Sequence, residues 1–171
     1  MFAQDQLVVY PAQGVGKIEC LKRQEIGGET AEFYVIRILC SNITVMVPVN
    51  NVKNIGVRTL CSRKEAMEVL DSLQDRSSFT GYTGQNWNRR HREYSDRLKS
   101  PSLLDVAHVL KELMLISGEK DLSFGERRLL EQATTLVSSE LALVLEKDAS
   151  DIKAAIDGFF GDIVNPAGKE E

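Results

Sequence analysis

This sequence holds little from which catalytic chemistry is built. Its three cysteines, Cys20, Cys40 and Cys61, form an odd set with no C-x-x-C spacing, which excludes a clustered zinc or dithiol site. Each sits among apolar or strand-forming residues, so they read as buried, reduced thiols. The two histidines, His91 and His108, fall on different predicted helices without a partner at ligand spacing. No apolar run approaches the roughly 18 residues of a membrane span. The N-terminus, MFAQDQLVVYP, lacks a basic segment followed by an apolar one, so no secretory signal is read and a cytoplasmic location is expected. Neither G-x-S-x-G nor H-E-x-x-H occurs, and no kinase signature is present. Gln13-Gly14-Val15-Gly16-Lys17 is not a phosphate loop: one residue separates its glycines and Ile18 follows the lysine, so it reads as a turn between strands. The expectation is a protein that is not an enzyme and uses no metal or cofactor.

What is present describes a globular chain. Of 171 residues, 43% are hydrophobic and 27% charged, with a net charge of −4. That charge is unevenly spread. Residues 1–75 carry eight basic and nine acidic side chains, 76–128 carry ten and seven, and 129–171 carry three and nine. The basic excess is concentrated in Trp87–Lys99. A confined basic patch on an acidic protein can touch nucleic acid, but weakly by itself.

The hydrophobic period changes once. Up to about Leu60 the chain reads as short strands: Leu7–Tyr10, Val15–Leu21, Phe33–Leu39 and Ile43–Val49. Gly27-Gly28 supplies a hairpin turn, and Ser41-Asn42 a tight connection. From Ser62 the period is helical. Ser62–Glu65 and Ser123–Glu126 are capping boxes. Five helices are expected, beginning near Ser62, Asn86, Ser102, Ser123 and Ser150. Their apolar stripes include Ala66, Val69, Leu73, Leu103, Val106, Leu110, Leu129, Ala133, Val137, Ile152, Ala155 and Ile156. Asp75–Gly84 reads as a polar connection. The fold class is α+β: a small β-barrel or roll over residues 1–59, a compact all-helical domain over 60–164, and a frayed tail over 165–171.

One segment stands out. Asn86-Trp87-Asn88-Arg89-Arg90-His91-Arg92-Glu93-Tyr94 holds the single tryptophan among clustered cations. On a helix, Trp87, Arg90, His91 and Tyr94 share one side, with Arg89 and Arg92 flanking it. Two readings stay open at this point. Trp87 anchors the helix in the core, or it is an exposed apolar wedge for a minor groove, with arginines on the adjacent phosphates.

Val9-Tyr10-Pro11, Gly14 and Ile43-Thr44-Val45-Met46-Val47-Pro48 resemble the N-terminal domain of the CarD/CdnL family of bacterial transcription regulators. Asn86-Trp87-Asn88-Arg89-Arg90, Leu122-Ser123, Gly125-Glu126-Arg127-Arg128 and Glu140-Leu141-Ala142 resemble its helical domain. The similarity runs in order over nearly the whole chain. It implies a Tudor-like β-domain docking on the lobe of the RNA polymerase β subunit, with strand-edge pairing through Thr44, Val45, Met46 and Val47 and a polar contact near Gln24. Some relatives carry arginines where this chain has Gln24 and Met46. The resemblance further implies that Trp87 wedges promoter DNA at the upstream edge of the bubble. Arg89, Arg90, Arg92 and Arg127 would meet the backbone, stabilising the open complex. The same β-domain type occurs in a transcription-repair coupling helicase, but helicase motifs are absent here. The implied protein is a monomer, nucleoid-associated through polymerase. The alternative is an adaptor on polymerase whose tryptophan belongs to the core.

Overall fold

A computed structural model describes residues 1–79, 81, 84 and 86–164. The chain divides into two compact units, Met1–Leu60 and Cys61–Glu171. The tail assigned to 165–171, and part of the connection assigned to Asp75–Gly84, lie outside the described residues.

The first unit is an antiparallel sheet of five strands: β1 (Leu7–Tyr10), β2 (Gly14–Ile26), β3 (Glu29–Ile38), β4 (Thr44–Pro48) and β5 (Arg58–Thr59). Their spatial order is β4-β3-β2-β1-β5, which leaves β4 and β5 at the edges. The β2–β3 hairpin closes on Gly27 and Gly28, at φ +61° and +85°. Two consecutive left-handed residues give the turn whose twist matches its flanking strands. Ile18 faces Ile36 but Cys20 faces Val35, so Glu19 is an extra residue that bulges and bends β2. Val8, Ile18, Tyr34, Ile36, Ile38, Val47, Val52 and Val57 form the core. Val52 comes from a short helix, α1 (Val52–Ile55), which ends at left-handed Gly56.

The bulge corrects the reading of the cysteines. All three are free, but Cys20 and Cys40 are exposed and Cys61 is half-buried. Inward alternation along β2 would have buried Cys20; the inserted Glu19 turns it to the outer face opposite Val35. Cys40 lies in the turn after β3, where its thiol approaches the Gln13 carbonyl at 3.5 Å.

The second unit contains α2 (Arg63–Gln74), α3 (Trp87–Leu98), α4 (Leu103–Ser117), α5 (Phe124–Leu145), α6 (Ala149–Phe159) and a short α7 (Gly161–Val164). The five expected helices are present, and α7 is added. In the α2 capping box, Ser62 Oγ accepts from the Glu65 N–H at 3.1 Å, and Glu65 accepts from the Ser62 N–H at 2.7 Å. Helix α4 is central, with Leu110, Leu113, Val109 and Ala107 fully buried against α2, α3 and α5. Two buried charges are committed to backbone. Lys111 donates to the Ser72 and Asp75 carbonyls, both at 3.0 Å, closing the end of α2. Glu140 accepts from the Cys61 N–H at 2.9 Å. Ala155, placed on the inner stripe of α6 by periodicity, is exposed; Ile152, Ile156 and Phe160 carry that contact. Among the described residues no helix is long and apolar enough to cross a membrane, and no cluster of His, Cys, Asp and Glu could hold a metal ion.

Candidate nucleic-acid interface

Helix α3 starts at Asn86, whose side chain accepts from the Asn88 N–H at 2.9 Å. Its sequence, WNRRHREYSDRL, is too polar to bury a full face. Arg90, Tyr94 and Leu98, four residues apart, form a single buried line. Arg89, His91 and Arg92 are exposed, and Trp87 is half-buried.

The first turn of α3 packs on the first turn of α5. The Trp87 ring lies on Gly125 so closely that a Cβ there would sit 2.8 Å from Cζ2. His91 meets the ring edge-on, with centroids 5.2 Å apart at 66°. The Arg90 guanidinium stands 5.8 Å from the indole centroid and donates to Glu126 at 2.7 Å.

Glu126 is fully buried and gathers three further donations. Lys120 Nζ reaches its two oxygens at 3.1 and 2.8 Å, and the Ser123 N–H donates at 2.7 Å. Burial alone would push the Glu126 carboxyl up; the Lys120 ammonium and the Ser123 N–H outweigh it and hold the carboxyl below its ordinary value. Nearby, burial and the Glu112 carboxylate push the Tyr94 hydroxyl well above its usual range.

These positions revise the reading of one cation. Arg90 is 7% exposed and ion-paired with Glu126, so it is a buried support rather than a solvent-facing phosphate contact. Arg89, Arg92 and Arg127 remain exposed. Arg127 Nε donates to the Leu122 carbonyl at 2.9 Å, which pins its stem while the residue stays accessible. The packing of α3 on α5 brings Trp87 and the starts of both helices together.

Sequence reasoning passed over Phe124. It is 76% exposed at the start of α5, with the Arg128 guanidinium 5.8 Å from its ring. A signal existed: three, four and seven residues on, its face continues as Arg127, Arg128 and Glu131, which no apolar core accepts. An exposed aromatic beside arginines marks a contact surface.

In the first unit, Thr44 and Met46 are exposed on the edge strand β4, Val45 is half-buried and Val47 is 1% exposed. Val47 belongs to the core and offers no side chain to a partner, and the pairing register turns the backbone groups of Thr44 and Met46, not those of Val45 and Val47, to the open edge. Gln24 is half-buried and pairs with Ala31, beyond the Phe33–Arg37 stretch that β4 covers. Strand β3 separates Gln24 from β4, so the structure does not bring all five candidate polymerase contacts to one edge.

The chain joins a bent antiparallel β-unit to a helical unit that gathers Trp87, Phe124 and exposed arginines near the starts of two helices. Residues 2–60 match the CarD-like/TRCF RID domain, a Tudor-like type, and residues 68–157 match the CarD C-terminal domain. The chain belongs to the CarD family, a family of transcription regulators whose N-terminal module is an RNA polymerase-interacting type. It is similar to YdeB, a candidate transcription factor of Bacillus subtilis (strain 168). The two are 28% identical over 154 residues, covering 90% of this chain and 99% of that one.

Proposed function

We propose that this protein is a transcription regulator that holds RNA polymerase through its β-unit and promoter DNA through its helical unit. On this reading it stabilises the open complex. The edge strand β4, Thr44–Val47 included, pairs with a strand of the polymerase β subunit lobe through the edge-facing backbone of Thr44 and Met46. The side chains of those two are also exposed, while Val45 and Val47 hold the strand on β3. Trp87 then occupies the deformed minor groove at the upstream edge of the bubble, while Arg89, Arg92 and Arg127 neutralise phosphates. Phe124 adds a second exposed ring to that surface.

The observation that carries this reading is the half-buried Trp87 ring, fixed on Gly125 and bordered by exposed arginines. A wedge must be rigid as well as accessible. Unstacking a base step costs roughly a few kcal/mol, which a tumbling side chain would not repay. Three phosphate contacts make intrinsic DNA affinity modest, so tethering to polymerase supplies effective concentration in its place.

Trp87 also packs against the helical core, and this favours the second reading, an adaptor that uses no wedge. The lifetime of the open complex separates the two, measured with wild type, Trp87→Ala and no added protein. A lifetime extended by wild type and not by Trp87→Ala, with polymerase binding retained, supports the wedge. Equal extension by both leaves the adaptor.

A further inference from the structure

The geometry points to Gly125 and Glu126 as a built seat for Trp87, with Glu126 as the positioning residue that makes the ring a usable wedge. This inference rests on the reading of Trp87 given above, and deepens it by naming what holds the ring.

A capping box asks two things of its glutamate: to stand three residues after the N-cap serine and to accept from that serine's N–H. Both are met here. Ser123 Oγ accepts from the Glu126 N–H at 3.3 Å, and the carboxylate accepts from the Ser123 N–H at 2.7 Å. Capping glutamates usually sit in solvent, but this one is 1% exposed and also holds Arg90 and Lys120. The carboxylate therefore serves another helix. Arg90 is one turn from Trp87 on α3, and its guanidinium lies 5.8 Å from the indole centroid. Gly125, immediately before Glu126, leaves the space that the indole fills. The first turn of α3 is thus fixed at two neighbouring points of α5: a ring on a glycine and a guanidinium on a carboxylate.

Each point has its own failure. An alanine at 125 would place Cβ within 2.8 Å of the indole, and the ring must move. A glutamine at 126 keeps an acceptor for the Ser123 N–H but removes the carboxylate between the buried Arg90 and the partly exposed Lys120. Either change frees the ring without touching Arg89, Arg92 or Arg127.

The test uses the full chain with Trp87 as its own reporter, since it is the single tryptophan. Emission maximum and acrylamide quenching are compared in wild type, Glu126→Gln and Gly125→Ala, with helical content checked by circular dichroism. Seating predicts at least a twofold rise in the quenching constant for both variants. It also predicts loss of most of the open-complex lifetime extension, with polymerase binding unchanged. Gly125→Ala guards against a Glu126→Gln protein that does not fold, because alanine is a better helix former than glycine. Wild-type quenching in folded Gly125→Ala and Glu126→Gln overturns the seat. A quenching change together with a lifetime effect that Trp87→Ala does not share keeps the seat and removes the wedge, so the two failures are told apart.

Discussion

Arg90 and Glu126 meet at 2.7 Å with side chains 9% and 2% exposed, an ion pair between helices 36 positions apart in sequence. Removing one partner of such a pair strands the other in a dry site. Arg90→Met keeps the aliphatic bulk and removes the charge. We expect it to destabilise the helical unit toward the lower end of roughly 3–5 kcal/mol, because Lys120 still faces the carboxylate. Urea unfolding followed by circular dichroism measures this. An unchanged midpoint would mean the pair is open to water.

Acid should find the same carboxylate. The folded Glu126 titrates below the ordinary value of 4.5, so the unfolded chain binds more protons as pH falls. Its stabilisation is complete above that ordinary value and is lost as pH drops through the folded one. Arg90 and Lys120 are the cations facing it. Glu112, lowered chiefly by its hydrogen bond with His108, contributes with the same sign. Urea midpoints at pH 7, 4 and 3 therefore decline toward acid. Glu126→Gln shows a flatter decline; an equal slope in both proteins would remove Glu126 as the cause.

Gly16 sits in the sheet where a Cβ would lie 2.6 Å from Ile36 Cγ2 and 3.2 Å from the Arg37 carbonyl. Gly16→Ala forces Ile36 or the β2–β3 ladder to shift and costs about 1–3 kcal/mol. Thermal unfolding of the full chain reports it. An unaltered β-unit transition would show that Ile36 yields freely.

Met46 is 41% exposed on the edge strand β4. Met46→Glu is expected to change stability by no more than about 0.5 kcal/mol and to weaken polymerase binding at least tenfold in a pull-down titration. Undiminished binding would move the docking surface away from β4.

Binding of the isolated chain to duplex DNA is expected to fall with salt at a log–log slope of about −2.7 for three phosphate contacts. Arg89→Ala, Arg92→Ala and Arg127→Ala each reduce that slope by about 1. Arg90→Met leaves the slope unchanged in whatever fraction stays folded. A reduction equal to that of Arg89→Ala would put Arg90 back on the phosphate surface.

Local chemistry was what the sequence made readable. Both capping boxes, the Gly27-Gly28 turn and the change of period near Ser62 depend on neighbours within four residues, and all recur in the structure. Readings that needed a distant partner did less well. Arg90 looked like one more solvent-facing cation because Glu126, its partner, belongs to another helix. Cys20 looked buried because its neighbours are apolar or strand-forming, and a single inserted residue at Glu19 sets it on the outer face. Phe124 was legible in principle, through the charged face it begins, but beside a capping serine it reads only as the start of a helix.

Helix α3 holds three buried residues among its 12, whereas α4 holds ten among 15. So lopsided a distribution makes α3 cheaper to peel from the unit than α4, since less apolar surface returns to water when it goes. Its amides would then trade hydrogen for deuterium through a sub-global opening, well before those of α4. Contact with DNA would slow that exchange by taking up the docked form alone. The element proposed to grip the promoter is thus also a gauge: its protection measures how much of the population stands ready to bind before any promoter arrives.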